Sequence, residues 1–358
     1  MSRAAALMGN PPLVSIIIPH YNGKEILTTC LRSLAKTSYP NTEVFVVDNA
    51  STDESLRNLD QDFPSVNLLH QETNLGYAGG CNAGLAVAGG VFVLFLNNDT
   101  RFEGDWLTKL VLAITSDDRI AAVQPKLLAL KQPDKFDYSG AAGGLMDYLG
   151  FPFARGRLFF TLETDRHQYD RQEDIFWASG TATLVRKSAL DRVGAFDENF
   201  FAHMEEIDLN WRFHLHGYHV RAVPEAVVYH NSGSTLPPDS FRKVYLNHKN
   251  SLSMLIKNYQ LHNLLWIFPS RLFLEFAAVV YSICSFDFVR VRAVVLSFLG
   301  LCVGLQQILR GRRAVQRSRT CCDADVFRKM FQRSIVFAYF VKGIRTTEEL
   351  LLWSGETD

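Results

Sequence analysis

Val91-Phe92-Val93-Leu94-Phe95-Leu96-Asn97-Asn98-Asp99-Thr100 is the stretch on which the reading of this chain turns. Six consecutive apolar residues predict a strand buried on both faces. The run stops abruptly at two amides, a carboxylate and a hydroxyl. Open α/β sheets bind ligands just outside the carboxyl ends of their strands. A carboxylate there, at the edge of a dry core, is well placed to hold a divalent cation against a diphosphate. The same four polar residues are also good turn chemistry. What surrounds them has to decide.

Working outward, Val14–Ile18 is a β-branched run ended by Pro19, and Val44–Val47 is a second buried strand ended by Asp48-Asn49. Ile26, Leu27, Leu31 and Leu34 share one side of a helix predicted over Glu25–Ala35. Ser51-Thr52-Asp53-Glu54 predicts a helix start, with a hydroxyl cap and early acids. Val66–Leu69 is a short third strand, and the glycine-rich Gly76–Gly90 predicts a short helix. Strands alternating with helices imply a mostly parallel sheet flanked by helices.

The chain has 358 residues, enough for two domains. Hydrophobic residues at 47% and charged residues at 21% allow a sizeable core. A formal net charge of zero argues against a nucleic-acid binder acting through overall charge. The cysteines, Cys30, Cys81, Cys284, Cys302, Cys321 and Cys322, form no Cys-x-x-Cys pair and are expected to be reduced thiols. Residues 1–12 read as a lead-in without a long apolar run, 13–235 as the α/β domain and 236–358 as a helical region. The run Ser232–Asp239 marks the boundary. In the helical region, Leu264–Phe286 is apolar but contains Pro269, Arg271 and Glu275. Ala293–Leu309 is seventeen residues without a charge. As one helix it would reach roughly 25 Å, short of a ~30 Å hydrocarbon core. Arg310, Arg312, Arg313, Arg317 and Arg319 follow it. A basic cluster beside an apolar helix suits an anionic membrane surface, each cation adding about 1 kcal/mol, so the region is expected to be peripheral or partly embedded.

Four polar clusters end buried strands or open helices: Pro19-His20-Tyr21-Asn22, Asp48-Asn49-Ala50-Ser51, Asn74 to Gly84, and Asn97-Asn98-Asp99. Glycines at 76, 79, 80 and 84 let backbone approach a nucleotide closely. No Gly-Lys-Ser/Thr follows, and there is no Gly-x-Gly-x-x-Gly, so neither a Walker loop nor a dinucleotide site is indicated. Further on, Glu205, Glu206 and Asp208 place three acids in four positions. Repulsion and partial burial raise a carboxyl pKa, which suits a general base. An acidic first helical turn would look the same. Val227-Val228-Tyr229-His230 is an apolar strand ending in an imidazole, a ligand type for Mg2+ or Mn2+ and equally an ordinary hydrogen bonder.

Val14–Asn22, Val46–Asp53, Asn74–Gly84, Leu94–Thr100, Gly180–Arg186, Gly194–Asp208 and His230 together resemble, in order, the inverting family 2 glycosyltransferases of the GT-A fold, most of all their rhamnosyltransferase group. The resemblance covers about Leu13 to Ser234. It implies that Asp48 reads a pyrimidine base, with Pro19, Tyr21 and Asn22 shaping the nucleotide pocket. Asn74, Gly76, Tyr77, Gly79, Asn82, Asn97 and Asn98 would line the donor site. Asp99 and His230 would hold Mg2+ or Mn2+, and Glu206 would be the catalytic base, with Glu205 and Asp208 orienting it or meeting the acceptor. Trp177, Ser179, Gly180 and Thr181 would form an acceptor wall.

Two positions depart from the pattern: Asn97 stands where many relatives have the first aspartate of Asp-x-Asp, and Glu206 replaces the usual aspartate. The expected activity is single-displacement transfer of a sugar from a nucleoside diphosphate. By resemblance the donor is dTDP-L-rhamnose, with other dTDP- and UDP-sugars as alternatives. The acceptor is a glycan or lipid-linked saccharide at the cytoplasmic face of the plasma membrane. A catalytically inactive nucleotide-sugar-binding protein and a cytosolic enzyme with a helical dimerisation module are the alternatives kept. A homo-oligomer is compatible with either.

Overall fold

The structure, a computed structural model, describes residues 9–232 and 240–355. Most of the expected boundary run, from residue 233 to 239, and the first eight residues of the lead-in lie outside it. The α/β part begins β1 (Val14–His20), α1 (Lys24–Leu34), β2 (Thr42–Asp48), α2 (Leu59–Asp62), β3 (Val66–His70), α3 (Gly76–Leu85) and β4 (Phe92–Leu96). It continues β5 (Thr100–Phe102), α4 (Trp106–Thr115), β6 (Ile120–Ala129) and β7 (Gln132–Phe136). A small antiparallel sheet follows: β8 (Gly144–Met146), β9 (Pro152–Ala154), β10 (Arg157–Leu158) and β11 (Thr161–Leu162). β12 (Glu173–Ile175), β13 (Ala182–Arg186), α5 (Lys187–Val193), α6 (Glu205–Leu215) and β14 (His219–His230) complete it.

The main sheet runs β12-β14-β6-β13-β4-β1-β2-β3, with β5 on β14 and β7 on β6. β3, β2, β1 and β4 are parallel, β13 runs against them, and β6 and β14 are parallel to each other. β1 has β2 on one side and β4 on the other, so the chain order reverses there and opens a crevice at their carboxyl ends. Every residue of β4 is buried, but Val91, the first of the six apolar residues, precedes the strand and is 54% exposed. Leu27, Cys30, Leu31 and Leu34 form the buried face of α1.

Helix α3 lies so close to the sheet that a Cβ on Gly84 would stand 2.4 Å from Ile17 Cγ2. The expected helix start at Ser51–Glu54 is not formed. Asp53 instead accepts from the Gly23 N–H at 2.7 Å, and the helix is delayed to Leu59. The acid expected in the first turn of its own helix is used to tie two loops together.

The C-terminal region is helical: α7 (Phe241–Asn258), α8 (Leu261–Cys284), α9 (Phe288–Val303), α10 (Leu305–Ser318), α11 (Asp323–Phe327), α12 (Ile335–Phe340) and α13 (Thr347–Ser354). Only α8 is long and apolar enough to cross a membrane among the described residues. The uncharged run 293–309 is not one helix: α9 and α10 meet at Gly304 with a bend of 67°. Four residues earlier Gly300 faces Tyr245, and a Cβ there would stand 2.2 Å from the tyrosine oxygen. That packing fixes α9 on α7, while Gly304 turns the chain. Two of the five arginines of the basic cluster are also not free for a surface. Arg312 donates to the carbonyls of Ile256 and Tyr259, and Arg319 to that of Asn258 and to Asp323. They satisfy the end of α7, where carbonyls lack helical partners.

Gly84→Val tests the close packing of α3. Overpacking of this kind costs about 1–3 kcal/mol, so the urea midpoint falls with the slope unchanged. An unaltered midpoint would show that the helix can move away.

Candidate active site

The loops after β1 and β2 are laced together. Ser51 Oγ accepts from the Asn22 N–H, and Asn22 exchanges hydrogen bonds with Thr52. Asp48, nearly buried, accepts from the Ser51 N–H at 2.8 Å and pairs with His70 Nδ1 at 3.1 Å. Burial alone would raise its carboxyl, but Ser51 and His70 hold it below the usual range. Tyr21 stays 40% exposed at the mouth. His20, buried between these loops, accepts from the Asn98 amide at Nδ1 (2.8 Å) and meets Ser55 at Nε2. Asn98 is therefore turned toward β1.

Asp99 and His230 are brought together by strand pairing across 131 residues of chain. β5 pairs with β14 so that His230 lies opposite Thr100. Its Nε2 is 3.0 Å from Asp99 Oδ1 and 3.4 Å from the Asn97 amide. Asp137, at the end of the β6–β7 hairpin, takes the other ring nitrogen at 2.9 Å and accepts from Ser232. Burial alone would lower the imidazole, but the two carboxylates outweigh it and push its pKa up to about 10. Burial would likewise raise Asp137, yet His230 and Ser232 hold it down. Two ligands in adjacent positions around a cation at ~2.1 Å stand about 3 Å apart, and the Asp99–His230 separation matches that. A carboxylate on Nδ1 with Nε2 facing the site is the usual outer partner of a metal-binding histidine. An amide flip lets Asn97 offer oxygen. These residues fit Mg2+ or Mn2+, and binding there would release the imidazole proton. A separate cluster, Asp165, His167 and Asp170, is already tied up by Lys126, which ion-pairs with both aspartates, and by the His167–Asp170 contact.

Helix α3 closes the crevice. Asn74 Oδ1 accepts from the Gly76 N–H. Gly76 has φ +71° and its position leaves 2.3 Å from a Cβ to the Phe201 carbonyl oxygen, so only glycine fits. A Cβ on Gly79 would meet Leu75 at 2.6 Å. Tyr77 donates to the Gly180 carbonyl at 2.5 Å, and Thr181 accepts from the Asn97 N–H. Pro19 lies against α3 at Gly80. Asn82 does not reach the crevice: its amide is used on Phe196 and Glu198, latching α3 to the segment before α6.

Glu205 and Glu206 open α6 beside Tyr77, whose hydroxyl is pushed up first by burial and further by these acidic neighbours. Burial, Glu206 and Asp208 push the Glu205 carboxyl well above the usual range. Burial pushes Glu206 up to about 7. One oxygen of each has no hydrogen-bond partner among the described residues. Asp208 is different. It is wholly buried and bound to Arg212, Lys257 and Asn258, so it faces α7 and neither Glu206 nor an acceptor. Trp177 also departs from the expected wall: it is 3% exposed, lies on Gly144 and donates to the Leu145 carbonyl. Ser179 turns inward to Ser139 and Gln124. Only Gly180 and Thr181 of that segment touch the crevice residues, through backbone oxygens.

Sequence reasoning missed Asp137 and assigned no role to Asn250. Asn250, on α7, donates to the carbonyls of Phe200, Ala202 and His203 at 2.8–3.0 Å. The segment it holds contains three non-glycine residues with positive φ, Phe201, His203 and Met204. No local signal marks either residue, since both act across the fold.

The profile described as Glycosyl transferase family 2 matches residues 15–194, half of the chain. The chain belongs to this family. It is 27% identical over 277 residues to N-acetylglucosaminyl-diphospho-decaprenol L-rhamnosyltransferase of Mycobacterium tuberculosis, covering 72% of this chain and 88% of that protein. It is 30% identical over 236 residues to O-antigen biosynthesis protein RfbC of Myxococcus xanthus, 62% of this chain but 18% of that one. Among solved structures, that of GalNAc-T7 with UDP, GalNAc and Mn2+ matches with a TM-score of 0.55 at 16% identity, over 69% of this chain and 48% of the other. That likeness concerns the fold, and it is the GT-A fold.

Two substitutions separate the groups described. Asp208→Ala strands Arg212 without a counter-charge and leaves Lys257 with Asp197 alone. Breaking a buried pair this way costs about 3–5 kcal/mol, which urea unfolding measures. Asp137→Asn leaves the fold standing and weakens Mn2+ binding about 10–100-fold, read by electron paramagnetic resonance of free Mn2+ in the presence of a nucleoside diphosphate.

Proposed function

We propose that this glycosyltransferase moves a sugar from a nucleoside diphosphate to an acceptor hydroxyl by one displacement, with inversion. The carrying observation is Glu206: a partly buried carboxyl with a free oxygen, tuned to about 7, on the rim of the nucleotide crevice. A carboxylate so poised takes the proton of the attacking hydroxyl. Glu205, kept protonated by burial and its neighbours, leaves the negative charge on Glu206. Asp48 and the Asn22–Ser51 loops receive the base and ribose, and Tyr21 flanks them. The backbone at Asn74–Gly79 approaches the diphosphate, while Asn97 and Asn98 line the floor. Asp99 and His230 are the residues that would hold Mg2+ or Mn2+. When bound, the ion neutralises charge developing on the leaving diphosphate.

The donor is dTDP-L-rhamnose and the acceptor a lipid-linked saccharide at the cytoplasmic face of the plasma membrane. The similarity to a rhamnosyltransferase whose name specifies a diphospho-decaprenol acceptor supports both, with a role in building cell-envelope polysaccharide. Other dTDP- and UDP-sugars are the competing donors. Gly180 and Thr181 present the acceptor side.

A base must be deprotonated to act, so kcat/KM rises with pH through about 7 and then levels. Glu206→Gln lowers transfer by about 10²–10⁴-fold while donor binding, measured by calorimetry, persists. Undiminished transfer by that variant would remove Glu206 from the role. A panel of nucleotide sugars assayed with and without Mn2+ identifies the donor.

A further inference from the structure

Helix α8 is built inside out. Its inward stripe is Ile267, Arg271, Glu275 and Ser282, all buried. Arg271 pairs with Glu275 at 2.9 Å and donates to Ser251 and to the carbonyls of Leu149 and Gly150. Glu275 also binds His248 at 2.5 Å. The opposite stripe is Leu265, Phe273, Phe276, Val280 and Ile283, each 42–69% exposed. In water the preference is the reverse, with charges outside and large apolar side chains within. A helix that buries its ion pair and presents phenylalanines outward matches an apolar surrounding on its outer side.

The exposed apolar side chains carry on into α9, interrupted by exposed Asp287 and Arg292. Phe286 and Phe288, 79% and 63% exposed, form the turn into α9, whose outer face shows Val289, Val295, Leu299 and Val303. Past the 67° bend, exposed Leu305 and Leu309 give way to exposed Arg310, Arg313 and Arg317, three arginines on adjoining turns. Apolar side chains followed by cations suit hydrocarbon followed by anionic headgroups. Trp266 and Tyr281, both exposed near the ends of α8, are side chains that favour the boundary between the two.

We propose that the outer face of the α8–α9 hairpin lies in one leaflet of an anionic bilayer, parallel to its plane, without crossing it. Crossing would surround α8 with lipid, yet its inner side is bound along its middle to the α/β domain through Arg271 and to α7 through Arg271 and Glu275. This deepens the reading of a lipid-linked acceptor, and the measurement below involves no sugar transfer, so the two fail separately.

The test uses the full chain with Cys284, Cys302, Cys321 and Cys322 replaced by serine. Leu265→Cys, Phe276→Cys and Ile283→Cys, which share one line along the helix, are each given a nitroxide label. Vesicles of phosphatidylcholine with phosphatidylglycerol are added, and label depth is read by electron paramagnetic resonance with oxygen and a nickel chelate. The expected result is three similar, shallow depths. A crossing helix would separate the first and last labels by about 27 Å along the membrane normal, with Phe276→Cys near the centre, and that result overturns the proposal. So does a failure to float with vesicles, including one caused by a second copy covering the face. Flotation is expected to weaken at least tenfold with pure phosphatidylcholine or with Arg310→Gln, Arg313→Gln and Arg317→Gln combined. Equal flotation in both would remove the anionic lipid from the proposal.

Discussion

A carboxylate with no solvent exposure, Asp208, joins the two parts of this molecule. It lies on α6 and meets Lys257 and Asn258 on α7, with Arg212 one turn along its own helix. Arg212 in turn caps the carbonyls of Val193, Gly194 and Ala195, and Lys257 reaches Asp197. Buried charges are tolerated only when paired and hydrogen-bonded on all sides. That requirement dictates a single arrangement of α6 against α7. Because Glu205 and Glu206 begin α6, the same requirement sets where the acidic pair stands over the crevice. Because α9 and α10 pack on α7, it also fixes the exposed apolar hairpin to the transferase domain.

The crevice sorts its acids into two kinds by surroundings alone. Asp48 and Asp137 are buried, but N–H groups, hydroxyls and imidazoles keep them ionised. Glu205 is buried and Glu206 partly so, beside each other, and loss of water raises both carboxyls. One side of the crevice is thereby a fixed negative frame, suited to cations and to ribose and base N–H or O–H groups. The other exchanges protons near neutrality. Opposite environments acting on one functional group are how acid and base tasks are divided in an active site. Asn97 fits this scheme as a neutral neighbour: an aspartate in its place, beside Asp99 and Asp137, would add a third negative charge around one imidazole.

Much of the sheet was legible because buried parallel strands announce themselves as unbroken apolar runs, and each ended at a polar cluster. Val14–Ile18, Val44–Val47 and Val91–Leu96 are such cases. The small sheet of residues 144–162 was not, since strands of two or three residues have no period to read. Ser51–Glu54 misled because a hydroxyl cap with early acids and a hydroxyl and acid that tie two loops look alike. The run 293–309 misled because hydropathy does not register Tyr245 pressing on Gly300 or the turn at Gly304. Among site residues, Asp99, His230 and the glutamates sit at strand ends or a helix start and could be found. Asp137 and Asn250 could not, because their partners lie 93 and about 50 residues away. Asp208 was visible as an acid but not as a buried tie, a distinction that only its neighbours make.

The segment before α6 shows how the helical region sets the placement of the acidic pair. Phe201, His203 and Met204 all have positive φ, a conformation costing roughly 1–3 kcal/mol at each non-glycine residue. Such a segment relaxes unless several independent contacts hold it. Here the Phe201 carbonyl accepts from the Ala78 N–H on α3, and Gly76 leaves room for the Phe201 ring. From the other side Asn250 takes three of its carbonyls with one amide nitrogen, and Arg242 lies 4.4 Å over the Phe201 ring. The strain is thus balanced between a helix that closes the crevice and a helix that anchors the apolar hairpin. Removing either support lets the backbone relax and tilts the first turn of α6, where Glu205 and Glu206 are. The orientation of the acidic pair is therefore set by α3 and α7 together, which a transferase domain without its C-terminal helices would not reproduce.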